Sequence, residues 1–189
     1  MSTAVTTTNE LAQLTGDYAI DTAHSRVGFH ARHAMVTKVR GAFNEFEGHL
    51  HLDGADPTKS SAAVTIQATS VDTRNADRDA HLRGNDFFNM EEFPTITFVS
   101  TKAEQVGPEN YVLTGDLAIR GVTKSVRIPF EFTGTAVDPW GNTRVGFEGS
   151  VVINRKDWGV NFNAPLEAGG LLVGEKVTLE FELSAVKTV

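Results

Sequence analysis

The residues of this chain that could do chemistry are six histidines and one dense run of charges. His49-Leu50-His51 is an H-x-H pair. On a strand such a pair shares one face, as two imidazole ligands of a metal would. It falls on the polar face of its segment with no third ligand nearby in sequence, so two exposed surface histidines is the preferred reading. His24, His33 and His81, with Asp79, form a second set that would make an acid–base or metal site if the fold brought them together. Asp72, Arg74, Asp77, Arg78, Asp79, His81 and Arg83 crowd one short stretch. Alternating charges on a short helix are ordinarily a solvated, salt-bridged face. The sharper alternative is that some of them hold this stretch against the rest of the fold or meet a polar head group. Arg120, Arg144 and Arg155 read the same way. The chain has no Cys, which excludes disulfides, thiol nucleophiles and Cys-ligated metals. No G-x-S-x-G, P-loop, G-x-G-x-x-G or H-E-x-x-H pattern occurs.

The elements that must position these groups are strands. Apolar and polar residues alternate with period two, for example Val27, Phe29 and Ala31 against Arg26, His30 and Arg32, or Val126, Ile128, Phe130 and Phe132 against Arg127, Glu131 and Thr133. The same pattern marks residues 25–32, 45–52, 64–69, 95–99, 111–120, 126–133, 144–153 and 176–183, eight strands in all, with residues 17–21 a candidate ninth. One oily face and one wet face suit antiparallel sheets. A short helical insert around residues 75–89 interrupts them, with Asn75 as N-cap, Asp77 and Asp79 in the first turn and Gly84 at the end. Residues 161–174, with Pro165, Gly169-Gly170, Leu166, Leu171 and Leu172, form a second irregular stretch that is oily for a loop.

One-faced strands of this number close into a barrel or stack as two sheets, and their length favours the barrel. An eight-stranded barrel is either filled by side chains or holds one small ligand. Gly48, Gly115 and Gly149 lie in phase with the apolar faces, which favours a cavity, unless they mark bends. The pattern alone leaves the two open.

The chain is 189 residues long, with 40% hydrophobic and 22% charged residues, and suits one globular domain. Twelve of its sixteen aromatics are Phe, a ring with no polar handle that suits a dry interior. A net charge of −7 argues against nucleic-acid partners and against bulk electrostatic docking on anionic lipid, leaving room for a local basic patch. Residues 1–15 are Thr-rich, without Lys or Arg, and read as a flexible tail before a barrel spanning 16–189, with Leu11 and Leu14 candidates for a short helix. They carry no signal-peptide pattern, so a cytoplasmic protein is expected, and no stretch is long and apolar enough to span a membrane.

A series of motifs runs the length of the chain: Tyr18-Ala-Ile-Asp21-x-x-His24-Ser25, Gly41-x-Phe43, Phe46-x-Gly48, Arg78-Asp79-x-His81-Leu82-Arg83, Asp86-Phe87-Phe88, Phe93-Pro94-x-Ile96-x-Phe98, Gly115-Asp116-Leu117-x-Ile119-Arg120-Gly121 and Arg155-x-Asp157-Trp158-Gly159. This resembles the YceI-like family from about Asp17 to Val186. The resemblance implies an all-β, eight-stranded antiparallel lipocalin-like barrel, usually a homodimer, whose interior holds a polyisoprenoid chain such as a polyprenyl phosphate or an isoprenoid quinone. It implies no catalytic residue, metal or cofactor beyond that lipid. The expected cavity lining is Phe29, Phe43, Phe46, Ile66, Leu82, Phe87, Phe88, Phe98, Leu117, Ile119, Phe130, Phe147, Trp158 and Phe181, with Leu82, Phe87 and Phe88 capping one end. His24, His33, Arg78, Asp79, His81, Arg120 and Arg155 are candidates for a polar rim. Two alternatives stand beside this reading: an enzyme built on the histidines, and a solid barrel acting as a dimeric interaction module.

Overall fold

In the computed structural model, which describes residues 11–164, 166 and 172–188, the alternating segments form one closed antiparallel sheet. Its strands are β1 (Gly16–Ile20), β2 (Arg26–His33), β3 (Thr37–Phe43), β4 (Phe46–Leu52), β5 (Ser61–Gln67), β6 (Val71–Asp72), β7 (Thr95–Gln105), β8 (Asn110–Ile119), β9 (Val122–Val137), β10 (Thr143–Asn154) and β11 (Val173–Lys187), with helix α1 (Ala76–Arg83) between β6 and β7. Three long runs are each cut in two, β1 with β2, β3 with β4, and β5 with β6. The barrel is therefore an eight-stranded meander of lipocalin-like form. Each run pairs with the next in sequence, and β11 closes the ring on β1 and β2 through Ala19–Val186 and Phe29–Leu179.

The cuts are corners that a tightly curved barrel needs, and side chains repair them. Between β1 and β2 the chain lifts off β11, yet Asp21 N–H still donates to the Ser184 carbonyl at 2.8 Å and Ser25 Oγ accepts from Ser184 N–H at 2.9 Å. Asn44 N–H and Gln67 N–H bond the carbonyls of Ser70 and Glu45 at the next two corners. β3 is the strand that alternation alone does not announce, since Gly41 interrupts its apolar row.

The β9–β10 ladder ends at Gly149–Phe130, and the two strands splay apart beyond it. A 3-10 turn, Arg155–Trp158, fills that gap, and Trp158 Nε1 donates to the Leu117 carbonyl at 2.9 Å. α1 sits at this same end. Asn75 caps it by accepting from Arg78 N–H at 2.9 Å, as its sequence position predicts, and Gly84 ends it in an extended conformation. At the opposite end residues 11–14, read from sequence as tail, turn so that the Leu14 carbonyl accepts from Tyr18 Oη at 2.8 Å. Residues 1–10, Pro165, residues 167–171 of the oily loop and Val189 lie outside the described residues. No helix among the described residues is long and apolar enough to cross a membrane.

Candidate functional site

The barrel is hollow, which removes the solid-barrel alternative. A narrow cavity of about 290 Å³ runs along its axis, from Leu11, Leu14, Leu52 and Pro57 at one end to Leu82, Phe87, Phe88 and Trp158 at the α1 end. Nine of the twelve Phe side chains face it. Asp53 and Arg155 are the charged residues of its described wall.

Of the expected lining, Phe29, Phe43, Ile66, Leu82, Phe87, Phe88, Phe98, Leu117, Ile119, Phe130, Phe147, Trp158 and Phe181 all border the cavity. Phe46 does not; it is 8% exposed and packs in the core behind the wall. Leu50, Val64, Leu113 and Leu179 also line the bore, and their in-phase positions on the same strands were the available signal. Leu11 and Leu14 precede the first strand, in the helical turn expected of them, and their place on the bore had no such strand signal.

The in-phase glycines do not leave the open space that their pattern suggested. A Cβ on Gly149 would stand 2.5 Å from Phe130 Cδ1, and one on Gly48 would stand 2.5 Å from Ile20 Cδ1. Gly115 lies under the Phe98 ring in the same manner. Each glycine is a seat on which a large neighbour lies flat against the wall. At Gly115 and Gly149 the Phe98 and Phe130 rings lie over the glycine, which leaves the bore beside them open, whereas at Gly48 the neighbour is Ile20.

Two aromatic groups close the α1 end. Phe29, Phe43 and Phe88 form a chain with centroid separations of 5.6 and 5.7 Å. His81 stands edge-on to Phe87 at 5.0 Å and to Phe162 at 4.8 Å. Phe162, from the oily loop, lies on no strand and escaped sequence reasoning.

Of the rim candidates, Arg78, Asp79 and Arg120 hydrogen-bond the insert and the barrel end. Asp79, 7% exposed, accepts from Thr73 N–H at 2.9 Å and Thr73 Oγ1 at 2.6 Å. Arg78 donates to Thr73 Oγ1 and to its carbonyl, both at 2.7 Å. Arg83 reaches the carbonyls of Thr69 and Val71, and Arg120 donates to the Phe87 carbonyl at 2.9 Å and to Asn85 Oδ1 at 3.2 Å. These bonds hold the insert against the barrel end, whereas a solvated, salt-bridged face was the preferred reading of the charged stretch for most of its residues.

Arg155 is 6% exposed and lies on the cavity wall. Its guanidinium donates to the carbonyls of Val160 at 2.7 Å, Gly174 at 2.9 Å and Val173 at 3.3 Å, and so staples the loop after β10 to the start of β11. Burial pushes its pKa below the usual arginine value, with the Glu175 charge opposing.

The histidines do not converge on one site. His24 lies on the outer wall, Nδ1 2.8 Å from Asp21 Oδ2, while His81 Nε2 lies 2.8 Å from Asp86 Oδ2 at the α1 end. His33 is exposed at the end of β2, and His51 Nδ1 bonds Asp17 on the outer face. Among the described residues no cluster of three His, Asp or Glu side chains could hold a metal ion.

Residues 18–185 match the YceI-like domain. A UPF0312 protein of Photorhabdus laumondii is 41% identical over 160 residues, which cover 84% of this chain and 82% of that protein. The crystal structure of Burkholderia cenocepacia BcnA superposes with a TM-score of 0.78 at 26% identity, covering 87% of this chain and 98% of that one. A polyisoprenoid-binding domain from Saccharophagus degradans shares the fold, with a TM-score of 0.68 at 14% identity over 90% of this chain and 98% of that domain.

Proposed function

Because the chain belongs to the YceI-like family, we propose that it is a non-catalytic binding protein for a long isoprenoid lipid, a polyprenyl phosphate or an isoprenoid quinone, which it stores or carries with the chain threaded along the bore. The observation that supports this is the shape and chemistry of the cavity, which is narrow, runs the length of the barrel and is walled by Phe, Leu, Ile and Val with Arg155 near one end. A compact ligand would not fill such a space, whereas a methyl-branched linear chain would. Burial is worth about 0.8 kcal/mol per CH₂-sized group, so each five-carbon unit contributes about 3–4 kcal/mol before ordering costs. A few units bind tightly with almost no polar contact. The polyisoprenoid-binding domain that shares this fold supports the same ligand class.

The test is direct. The purified protein is extracted with organic solvent, the extract is analysed by mass spectrometry, and the stripped protein is then titrated with polyprenyl compounds. An isoprenoid bound at one per barrel is expected. Absence of a co-purifying lipid together with failure to take up any added polyprenyl compound would overturn the proposal. The homodimer implied by the family resemblance is checked on the same preparation by sedimentation equilibrium.

A further inference from the structure

The β2–β3 hairpin carries a charge opposite to that of the chain. Residues 22–44 contain Arg26, Arg32, Lys38 and Arg40 with His24, His30 and His33, and no Asp or Glu, in a protein of net charge −7. The register places Arg32 opposite Lys38 and His30 opposite Arg40 on the outer face. Glu180 takes up Arg26 and His30 at 3.2 Å each, whereas Arg32, Lys38 and Arg40 have no carboxylate partner among the described residues.

The tip of this hairpin is apolar and exposed, Met35 at 67% and Val36 at 74%. Its turn is closed by Val36 N–H donating to the His33 carbonyl at 3.1 Å, and Ala34 and Met35 both have left-handed backbones, φ 51° and 62°. Glycine or asparagine ordinarily fills such positions, because a side chain there is strained. The strain holds a long apolar side chain outward at the extremity of the barrel, and strain of this kind points to function.

The tip also belongs to the end of the bore. Phe29 and Ala31, on the inner face of β2, line the cavity, and Ala34 N–H donates to the Leu172 carbonyl at 2.7 Å, next to the Val173 carbonyl that Arg155 binds.

We infer that this hairpin docks the barrel on an anionic phospholipid bilayer, Met35 and Val36 entering the acyl boundary while Arg32, Lys38 and Arg40 meet the phosphates. Strand residues two apart rise about 7 Å, so the first cationic pair sits at head-group depth when the tip is inserted. Docking in this pose turns the α1 end of the bore toward the membrane, where a lipid would enter or leave. A second exposed tip, Trp140 at 81%, lacks such a girdle, since its neighbour Arg144 is held by Asp21 and Asp138.

The experiment is co-sedimentation of the full chain with phosphatidylcholine vesicles with and without phosphatidylglycerol. These contain no isoprenoid, so the result is independent of what fills the bore. Binding is expected only to the anionic vesicles and should weaken with salt. A basic residue at such a surface is worth about fivefold, so the triple variant Arg32→Gln, Lys38→Gln, Arg40→Gln is expected to lose on the order of a hundredfold. Met35→Gly separates docking from folding. It relieves the strained turn, so Tm should rise or hold, yet vesicle binding should fall on the order of tenfold. Trp140→Ala is expected to bind as wild type. Equal binding to neutral and anionic vesicles, undiminished binding by the triple variant, or loss of binding in Trp140→Ala would overturn the inference.

Discussion

Phe29 lies across Gly41, its register partner on β3, so closely that a Cβ on Gly41 would stand 2.5 Å from Phe29 Cζ. The other atoms that such a methyl would meet are Phe29 Cε1 and Thr73 Cγ2, each at 2.9 Å, and all three belong to side chains. Gly41→Ala therefore lifts the ring off the wall and into the bore. We expect a stability loss of about 1–3 kcal/mol from overpacking. Capacity for long polyprenyl chains should fall while short prenols still bind. Native mass spectrometry with a series of prenol lengths reads this out, and an unchanged length preference would show that the ring does not set the bore.

Blocking the middle of the bore should separate ligand uptake from folding. Leu179 pairs with Phe29 and faces the cavity. Leu179→Trp adds an indole into open volume, so stability should change by no more than about 1 kcal/mol while polyprenyl binding drops at least tenfold. Val99, 54% exposed on the outer wall, supplies the control. Val99→Trp should bind normally, and equal effects of the two substitutions would argue that the ligand does not lie along the axis.

How much of this was legible beforehand follows from where each signal resides. Alternation is a local property, so all eight barrel runs could be read, and Asn75 could be read as a cap from its neighbours alone. β3 was missed because its inner face carries Gly41, whose missing side chain is replaced by Phe29 from another strand. Gly48, Gly115 and Gly149 show the same non-local substitution: the cavity they favour is present, but their own places are filled by Ile20, Phe98 and Phe130. Among the polar residues, sequence shows that Arg155 carries a charge but not that its acceptors are three carbonyls from beyond β10. Nor does it show that His24 and His81 answer to different carboxylates on different sides of the barrel. Leu11 and Leu14 are legible as one helical turn, which the structure has, but nothing local places that turn at the mouth of the bore, and Phe162 sits outside any periodic segment.

The Arg155 staple predicts a variant effect that charge alone would not. Arg155→Met leaves the Val160 and Gly174 carbonyls without this donor, whereas the Val173 carbonyl keeps a bond from Asn163 Nδ2 at 2.8 Å. An orphaned buried acceptor costs about 1–3 kcal/mol, so a loss of roughly 2–4 kcal/mol is expected in urea denaturation. Amides of residues 160–164 and 172–174 should exchange faster. Arg155→Lys should rescue little of this, because one ammonium cannot span three carbonyls as a planar fork does. Full rescue by Lys would show that the site needs the charge and not the fork.

Acid stability should report the corner between β1 and β2. Asp21 Oδ2 accepts from Arg144 Nη1 at 2.6 Å and lies 2.8 Å from His24 Nδ1, while Oδ1 accepts from Ala23 N–H at 3.1 Å. The Arg144 bond, and after it the His24 bond, hold the Asp21 carboxyl down to about 2 from its usual 3.8. A carboxyl that is more acidic in the folded protein than in the unfolded chain stabilises the fold fully above its unfolded value of about 4, and that contribution is lost as pH falls from there toward about 2. Asp21→Asn keeps the shape of the side chain but has no proton to gain. Measured by urea unfolding, wild type should exceed the variant in stability at about pH 6, and the gap should close as pH approaches about 2. Arg144→Gln should flatten the same part of the wild-type profile, because it removes the principal cause of the shift. A gap between wild type and Asp21→Asn that stays constant across this range would mean that the Asp21–Arg144 pair does not hold the corner closed.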